Sequence, residues 1–177
     1  MKPFSLAALV LALSAALPAH AQVEGVRING NLDSTVVINS DVTTRASALA
    51  SATTNIGVID GSTINGSMNQ VVGIDTVVTS ASALYANAGT DIGTFIDSTS
   101  SGSINRTISV GNAVTTARRI GASAETKIGT IEDARVSGFS QTIIVGEVVT
   151  DANRSGSATR TCIGTVKGNK KKGDQAC

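Results

Sequence analysis

The sequence predicts an all-β protein, a β-solenoid or β-roll made of four tandem repeats of about 36 residues. Three repeating columns and one shortage carry that prediction. Ile-Gly pairs stand at Ile56-Gly57, Ile92-Gly93, Ile128-Gly129 and Ile163-Gly164, spaced 36, 36 and 35 residues apart. A second glycine column runs Gly30, Gly66, Gly102 and Gly138 at intervals of 36, and Val-Thr pairs at Val42-Thr43, Val78-Thr79, Val114-Thr115 and Val149-Thr150 follow the 36, 36, 35 spacing. Aromatic residues make up only 2% of the chain. A globular sandwich of this length wants more aromatic bulk at its centre, whereas a thin coil is filled by Ala, Ser, Thr, Val and Ile stacked in ladders.

In chain order, the first element is a leader. Lys2 supplies a positive start, an apolar run follows from Leu6 to Leu17, and Ala19-His20-Ala21 is a small-x-small cleavage site, so 1–21 reads as a secretory signal peptide. The run is shorter than the roughly 20 residues that span a bilayer. Cleavage before Gln22 removes both prolines and the single histidine.

The repeats follow as 24–60, 61–97, 98–133 and 134–168, within a solenoid of 22–168. A one-residue deletion is expected in the last unit, between Thr150 and Ile163, where a terminal repeat departs from the pattern. Inside each unit, β-branched runs such as Thr35-Val36-Val37-Ile38, Gln70-Val71-Val72-Gly73-Ile74 and Thr142-Ile143-Ile144-Val145 predict short strands. Asn29-Gly30, Asn65-Gly66 and the unit-end residues Asp60, Asp97 and Asp133 predict the corners. Ahead of each Ile-Gly pair, small or apolar residues alternate: Ala48, Ala50, Ala52; Leu84, Ala86, Ala88; Ile120, Ala122, Ala124; and, softened in the last copy, Ser155, Ser157, Thr159. That period of two predicts a strand with a narrow inward face. Whether a 36-residue unit is two rungs of about 18 or one larger rung is open at this level.

The chain closes on a basic tail, 169–177. From Gln22 to Val166 there are nine basic and twelve acidic residues, and from Lys167 to Cys177 four basic and one acidic. Lys167, Lys170, Lys171 and Lys172 suit an anionic surface or polysaccharide, and the absence of interleaved aromatics argues against nucleic acid. Cys162 and Cys177 predict one disulfide that folds the tail over the last rung, with a free thiol pair or an intermolecular crosslink as the alternatives.

Without histidine the mature chain has no Ser-His or Cys-His pair and no imidazole ligand, so the expectation is a non-enzyme with no cofactor and no metal site. Repeat-end aspartates are turn residues, since the Gly-Gly-x-Gly-x-Asp spacing of calcium-binding rolls is missing. The threonine column at 43, 79, 115 and 150 is either an outward binding face or simply good strand sequence.

The tandem Gly/Ala/Ser/Thr/Asn-rich units resemble bacterial functional-amyloid subunits of the curli and Fap type, the repeat length being closer to Fap. Arg119-Ile120-Gly121-Ala122-Ser123-Ala124 is also similar to head repeats of trimeric autotransporter adhesins. The resemblance covers the architecture of 24–168 and implies a secreted fibre or matrix subunit, extracellular, at the cell surface or periplasmic, whose partner is itself. The alternative is a monomeric solenoid that serves as an adhesin or a polysaccharide-binding module. A solenoid has two open sheet edges, and a proline-free mature chain has few means to blunt them.

Overall fold

The structure, a computed structural model, describes residues 19–47 and 51–167. The predicted leader lies outside these residues except for 19–21; Lys170, Lys171, Lys172 and Cys177 lie outside them altogether.

Fourteen strands and no helix occupy the described residues. They are β1 (Ala19–Glu24), β2 (Arg27–Asn29), β3 (Leu32–Ala46), β4 (Ala52–Asp60), β5 (Thr63–Asn65), β6 (Met68–Ala81) and β7 (Asn87–Ile92). The rest are β8 (Phe95–Ile96), β9 (Thr99–Ala117), β10 (Ser123–Ile128), β11 (Ile131–Glu132), β12 (Arg135–Ala152), β13 (Ala158–Ile163) and β14 (Val166–Lys167). Every pairing is parallel and joins residues one repeat apart: Val36 stands beside Val72, Val72 beside Ile108, and Ile108 beside Ile143. One 36-residue repeat is therefore one turn of the coil, and the chain is a β-solenoid of about four turns.

Each turn has the same course. A long strand (β3, β6, β9 or β12) forms one wall. The opposite wall (β4, β7, β10 or β13) follows, reached by a tight turn ahead of β7, β10 and β13, and it bends at the glycine of the Ile-Gly pair into a short third leg that includes β8, β11 or β14. β1 precedes the first complete turn and pairs with β4 as a partial rung.

The bend needs glycine for two reasons. Gly57, Gly93, Gly129 and Gly164 have φ of +63°, +57°, +64° and +64°, a left-handed conformation that costs other residues roughly 1–2 kcal/mol. A Cβ on Gly93 would also lie 2.6 Å from Ile108 Cδ1, inside the core. The other column works by close approach: a Cβ on Gly66 would strike the Gly30 carbonyl, and one on Gly102 the backbone of Gly66.

Side-chain size follows the width of the coil. Alanines 46, 52, 81, 83, 86, 88, 117, 122 and 124 cluster beside the tight turn, where the two walls converge. Ile56, Val72, Ile92, Ile108 and Ile128 fill the middle, and Ile59, Ile64, Met68, Phe95, Ile104 and Ile131 fill the broad end formed by the third leg. Phe95, fully buried, is the one aromatic in this core among the described residues.

Four readings are corrected. Before the second and third Ile-Gly pairs the alternating stretch is not one strand, while Ala48 and Ala50 of the first lie outside the described residues: Ala86 N–H donates to Ala83 O, and Ala122 N–H to Arg119 O, closing turns whose third residue, Tyr85 or Gly121, is left-handed. Reversing the chain there turns Leu84 and Ile120 out to solvent while Ala86, Ala88, Ala122 and Ala124 stay inside. The one-residue deletion lies near Val136, not after Thr150, because Arg135 pairs with Thr99 but Gly138 pairs with Ser103. Gly138 therefore leaves its predicted column. In the first repeat an extra residue between Ile38 and Asp41 moves Val42-Thr43 out of line, and Thr44 takes the place beside Thr79. At the unit ends, Asp97 and Asp133 are left-handed as their turns require, but Gly61, not Asp60, fills that role one turn earlier.

Candidate functional site

Three features stand out from the regular coil: a chain of hydroxyls inside it, a polar strip outside it, and the two ends.

The threonine column points inward. Thr44 and Thr79 come from the long wall, Thr54 and Thr90 from the opposite one, and each hydroxyl meets its neighbours across the core at 2.8 Å. The zigzag continues through Thr115, Thr126, Thr150 and Thr161, again at 2.8 Å for each step. One donor sense satisfies all seven bonds: each hydroxyl donates toward the first turn, from Thr161 to Thr44. Burying a hydroxyl without a partner costs roughly 1–3 kcal/mol, so the chain supports itself only because it is unbroken. The opposite-wall column, Thr54, Thr90, Thr126 and Thr161, shows the 36, 36, 35 spacing and is the sequence signal that reveals the chain.

A second inner column holds Gln70, Arg106 and Gln141. Gln70 Nε2 donates to Gly57 O at 2.6 Å and Gln141 Nε2 to Gly129 O at 2.8 Å, so each glutamine ties the long wall to a glycine bend. Arg106 breaks the series. Its Nε donates to Gln70 Oε1 at 3.0 Å, but Nη1 and Nη2 are buried without partners, as is Gln141 Oε1. Burial pulls the Arg106 guanidinium down to about 10.

Outside the glycine bends runs a strip of part-buried polar side chains. Lys127 Nζ and Glu132 Oε2 flank Gly129 and meet at 3.1 Å. Asn55, Asp91, Lys127 and Cys162 form one column of this strip by register. Asn55 Oδ1, Thr94 Oγ1, Thr130 Oγ1 and Glu132 Oε1 are buried nearby with no partner. Burial pushes the Asp91 carboxyl up to about 6, with Lys127 opposing the rise and Glu125 adding to it. For Lys127 burial works the other way, but the hydrogen bond to Glu132 and the charges of Glu125 and Asp91 outweigh it and raise its pKa. Among the described residues, no three His, Cys, Asp or Glu side chains are grouped to hold a metal ion.

The ends differ from the interior. Val72 and Ile108 in the middle turns are fully buried, while their neighbours Val36 and Ile143 are only partly covered. On the outer face Val37 is 52% exposed and Ile144 60%. Among the described residues β3 pairs only with β6, β12 only with β9 and β13 only with β10, so each leaves one backbone edge without a strand partner.

The glycines predicted to define the repeat thus occupy the bends (Gly57, Gly93, Gly129, Gly164) and the close approach (Gly30, Gly66, Gly102), with Gly138 displaced. Cys162 is buried on β13, in the outward column of the polar strip. Lys167 ends β14, in register with Glu132. Searches against protein-family models, curated proteins and solved structures find no match to this chain.

Proposed function

We propose that this chain is a secreted structural subunit that assembles with itself into a fibre or matrix, as the resemblance to functional-amyloid subunits implies. One observation carries the reading. Both ends of the described coil carry unpaired parallel edges over half-covered Val and Ile columns, a surface that a further turn of the same kind would complete. Added rungs would bury the remaining exposed part of each inner Val or Ile, worth a fraction of the roughly 1.5–3 kcal/mol that complete burial of such a side chain gives, before the entropic cost of association.

In this reading the leader directs export, and Cys162 joins Cys177, tethering the tail to the outward column of β13 and leaving the backbone edge of that strand free. Non-reducing mass spectrometry checks the bridge; a dimer linked through Cys177 contradicts it. For assembly, the purified chain from Gln22 onward is concentrated and followed by electron microscopy and fibre diffraction. Filaments with a meridional spacing of about 4.7–4.8 Å support the proposal. A chain that stays monomeric at high concentration overturns it and leaves the adhesin or polysaccharide-binding module as the reading to pursue.

A further inference from the structure

The first rung is a misfit. β1 lies on β4 with Ala19 opposite Thr54, Ala21 opposite Ile56, Gln22 opposite Val58 and Glu24 opposite Asp60. Its register breaks between Ala21 and Gln22, so nothing in β1 stands opposite the bend at Gly57. It brings no hydroxyl to the threonine chain, because Ala19 occupies the place in line with Thr54. It also sets Glu24 against Asp60: the Asp60 carboxyl is raised by burial first, then by Asp97 and Glu24.

The last rung has every feature that β1 lacks. Carried forward in the 36-residue register, β13 and β14 of another copy would put Thr161 beside Thr54, Gly164 beside Gly57 and Lys167 opposite Asp60. Thr161 would then stand next to Thr44, whose proton is the one left over by the donor chain. On the long wall, Ile143, Val145 and Val148 would cover Val36, Ile38 and Val42, the partly buried apolar residues at the two ends. Asp151 would meet Arg45, since the column Arg45, Ser80, Thr116, Asp151 begins and ends on opposite charges. Two columns oppose the contact, placing Arg135 on Arg27 and Glu147 on Asp41.

We infer that β1 is a displaceable cap holding the edge of β4 that the C-terminal rung of a second copy takes during head-to-tail stacking. The contact is heterologous, C-terminal rung on N-terminal rung, and therefore propagates as an open filament with one polarity. β1 lowers the rate by competing for the edge, and its poor fit lets the neighbour win. The break at Ala21 coincides with the cleavage site read in the sequence, so leader removal would leave only Gln22–Glu24 on the edge.

This inference rests on the proposal of self-assembly and deepens it. The test follows assembly of the chain from Gln22 onward by light scattering, with negative-stain microscopy of the products. Val23→Asp, which takes an apolar residue of β1 off the core, is expected to shorten the lag severalfold. Glu24→Lys, which gives β1 the charge Asp60 lacks, is expected to lengthen it. Arg45→Asp and Asp151→Arg each slow growth, and the double variant recovers it; circular dichroism of all five variants, unchanged from the parent, shows that each still folds. Wild-type filaments with lag and growth indifferent to Val23, Glu24 and the charge exchange overturn the cap and the polarity while leaving self-assembly standing. No wild-type filaments at all overturns both.

Discussion

Thr115 Oγ1 lies 2.8 Å from Thr90 Oγ1, joining opposite walls of the coil through two hydroxyls that are each fully buried. The pair is one link of an axial chain in which every interior member accepts from one side and donates to the other, so the middle of the chain is more sensitive than its end. Thr115→Val keeps the shape and removes the hydroxyl, leaving Thr126 without its acceptor and Thr90 without its donor. It is expected to destabilise the fold by roughly 1–3 kcal/mol. Thr161→Val, at the exposed end, should cost less. Urea midpoints of the two variants check the order; equal midpoints would show that the chain does not act as a connected unit.

Arg106→Gln is expected to stabilise. It completes the Gln70, Arg106, Gln141 column with a side chain able to reach Gly93 O as Gln70 reaches Gly57 O, and it removes a buried charge with two unpartnered nitrogens. An unpaired buried charge carries a desolvation penalty of several kcal/mol, and the neutral amide relieves it. A raised thermal midpoint with an unchanged β spectrum is the expected result, and a lowered one means that Arg106 has a role the orphaned nitrogens do not reveal.

Gly93→Ala and Gly25→Ala separate backbone strain from steric conflict. Both positions are left-handed, with φ of +57° and +61°. A Cβ at Gly25 meets nothing within 4 Å, whereas at Gly93 it presses on Ile108 Cδ1 at 2.6 Å. Gly25→Ala should cost only the conformational ~1–2 kcal/mol, and Gly93→Ala a further ~1–3 kcal/mol of overpacking, read from chemical denaturation.

Stability should depend on pH through Asp91. Its folded pKa of about 6 exceeds the ordinary 3.8 chiefly because of burial, so folding favours the protonated form. The resulting stabilisation is full below about 3.8 and is lost as pH rises through about 6. Asp60, also raised, contributes in the same direction. Asp91→Asn should therefore lift the thermal midpoint at pH 7.5 and reduce the gain that the parent shows between pH 7 and pH 4. It also extends an amide column from Asn55. An unaltered pH profile in the variant would assign the dependence elsewhere.

Much of this architecture is local information repeated. The Ile-Gly spacing is legible because a left-handed bend admits almost nothing but glycine, and a stacked coil imposes that demand once per turn. The near absence of aromatics is legible for a related reason, since a thin coil has little room for rings. The same logic makes the Gln70 and Gln141 ties hard to see: they are identified by the carbonyls they reach across the core, and Arg106 interrupts their pattern.

Residue order and repeat spacing were enough to establish strands, repeats and the identity of the bend residues, because each depends on backbone conformation within a few positions. Only the folded coil decided that 36 residues make one turn, that Thr79 and Thr115 point inward, and that Gly138 leaves its column. Those outcomes depend on register between strands a whole turn apart, where one inserted or deleted residue moves a side chain to the other face. The placement of Glu24 opposite Asp60 has the same origin. Nothing in either local sequence announces it, and it exists because β1 and β4 share an edge.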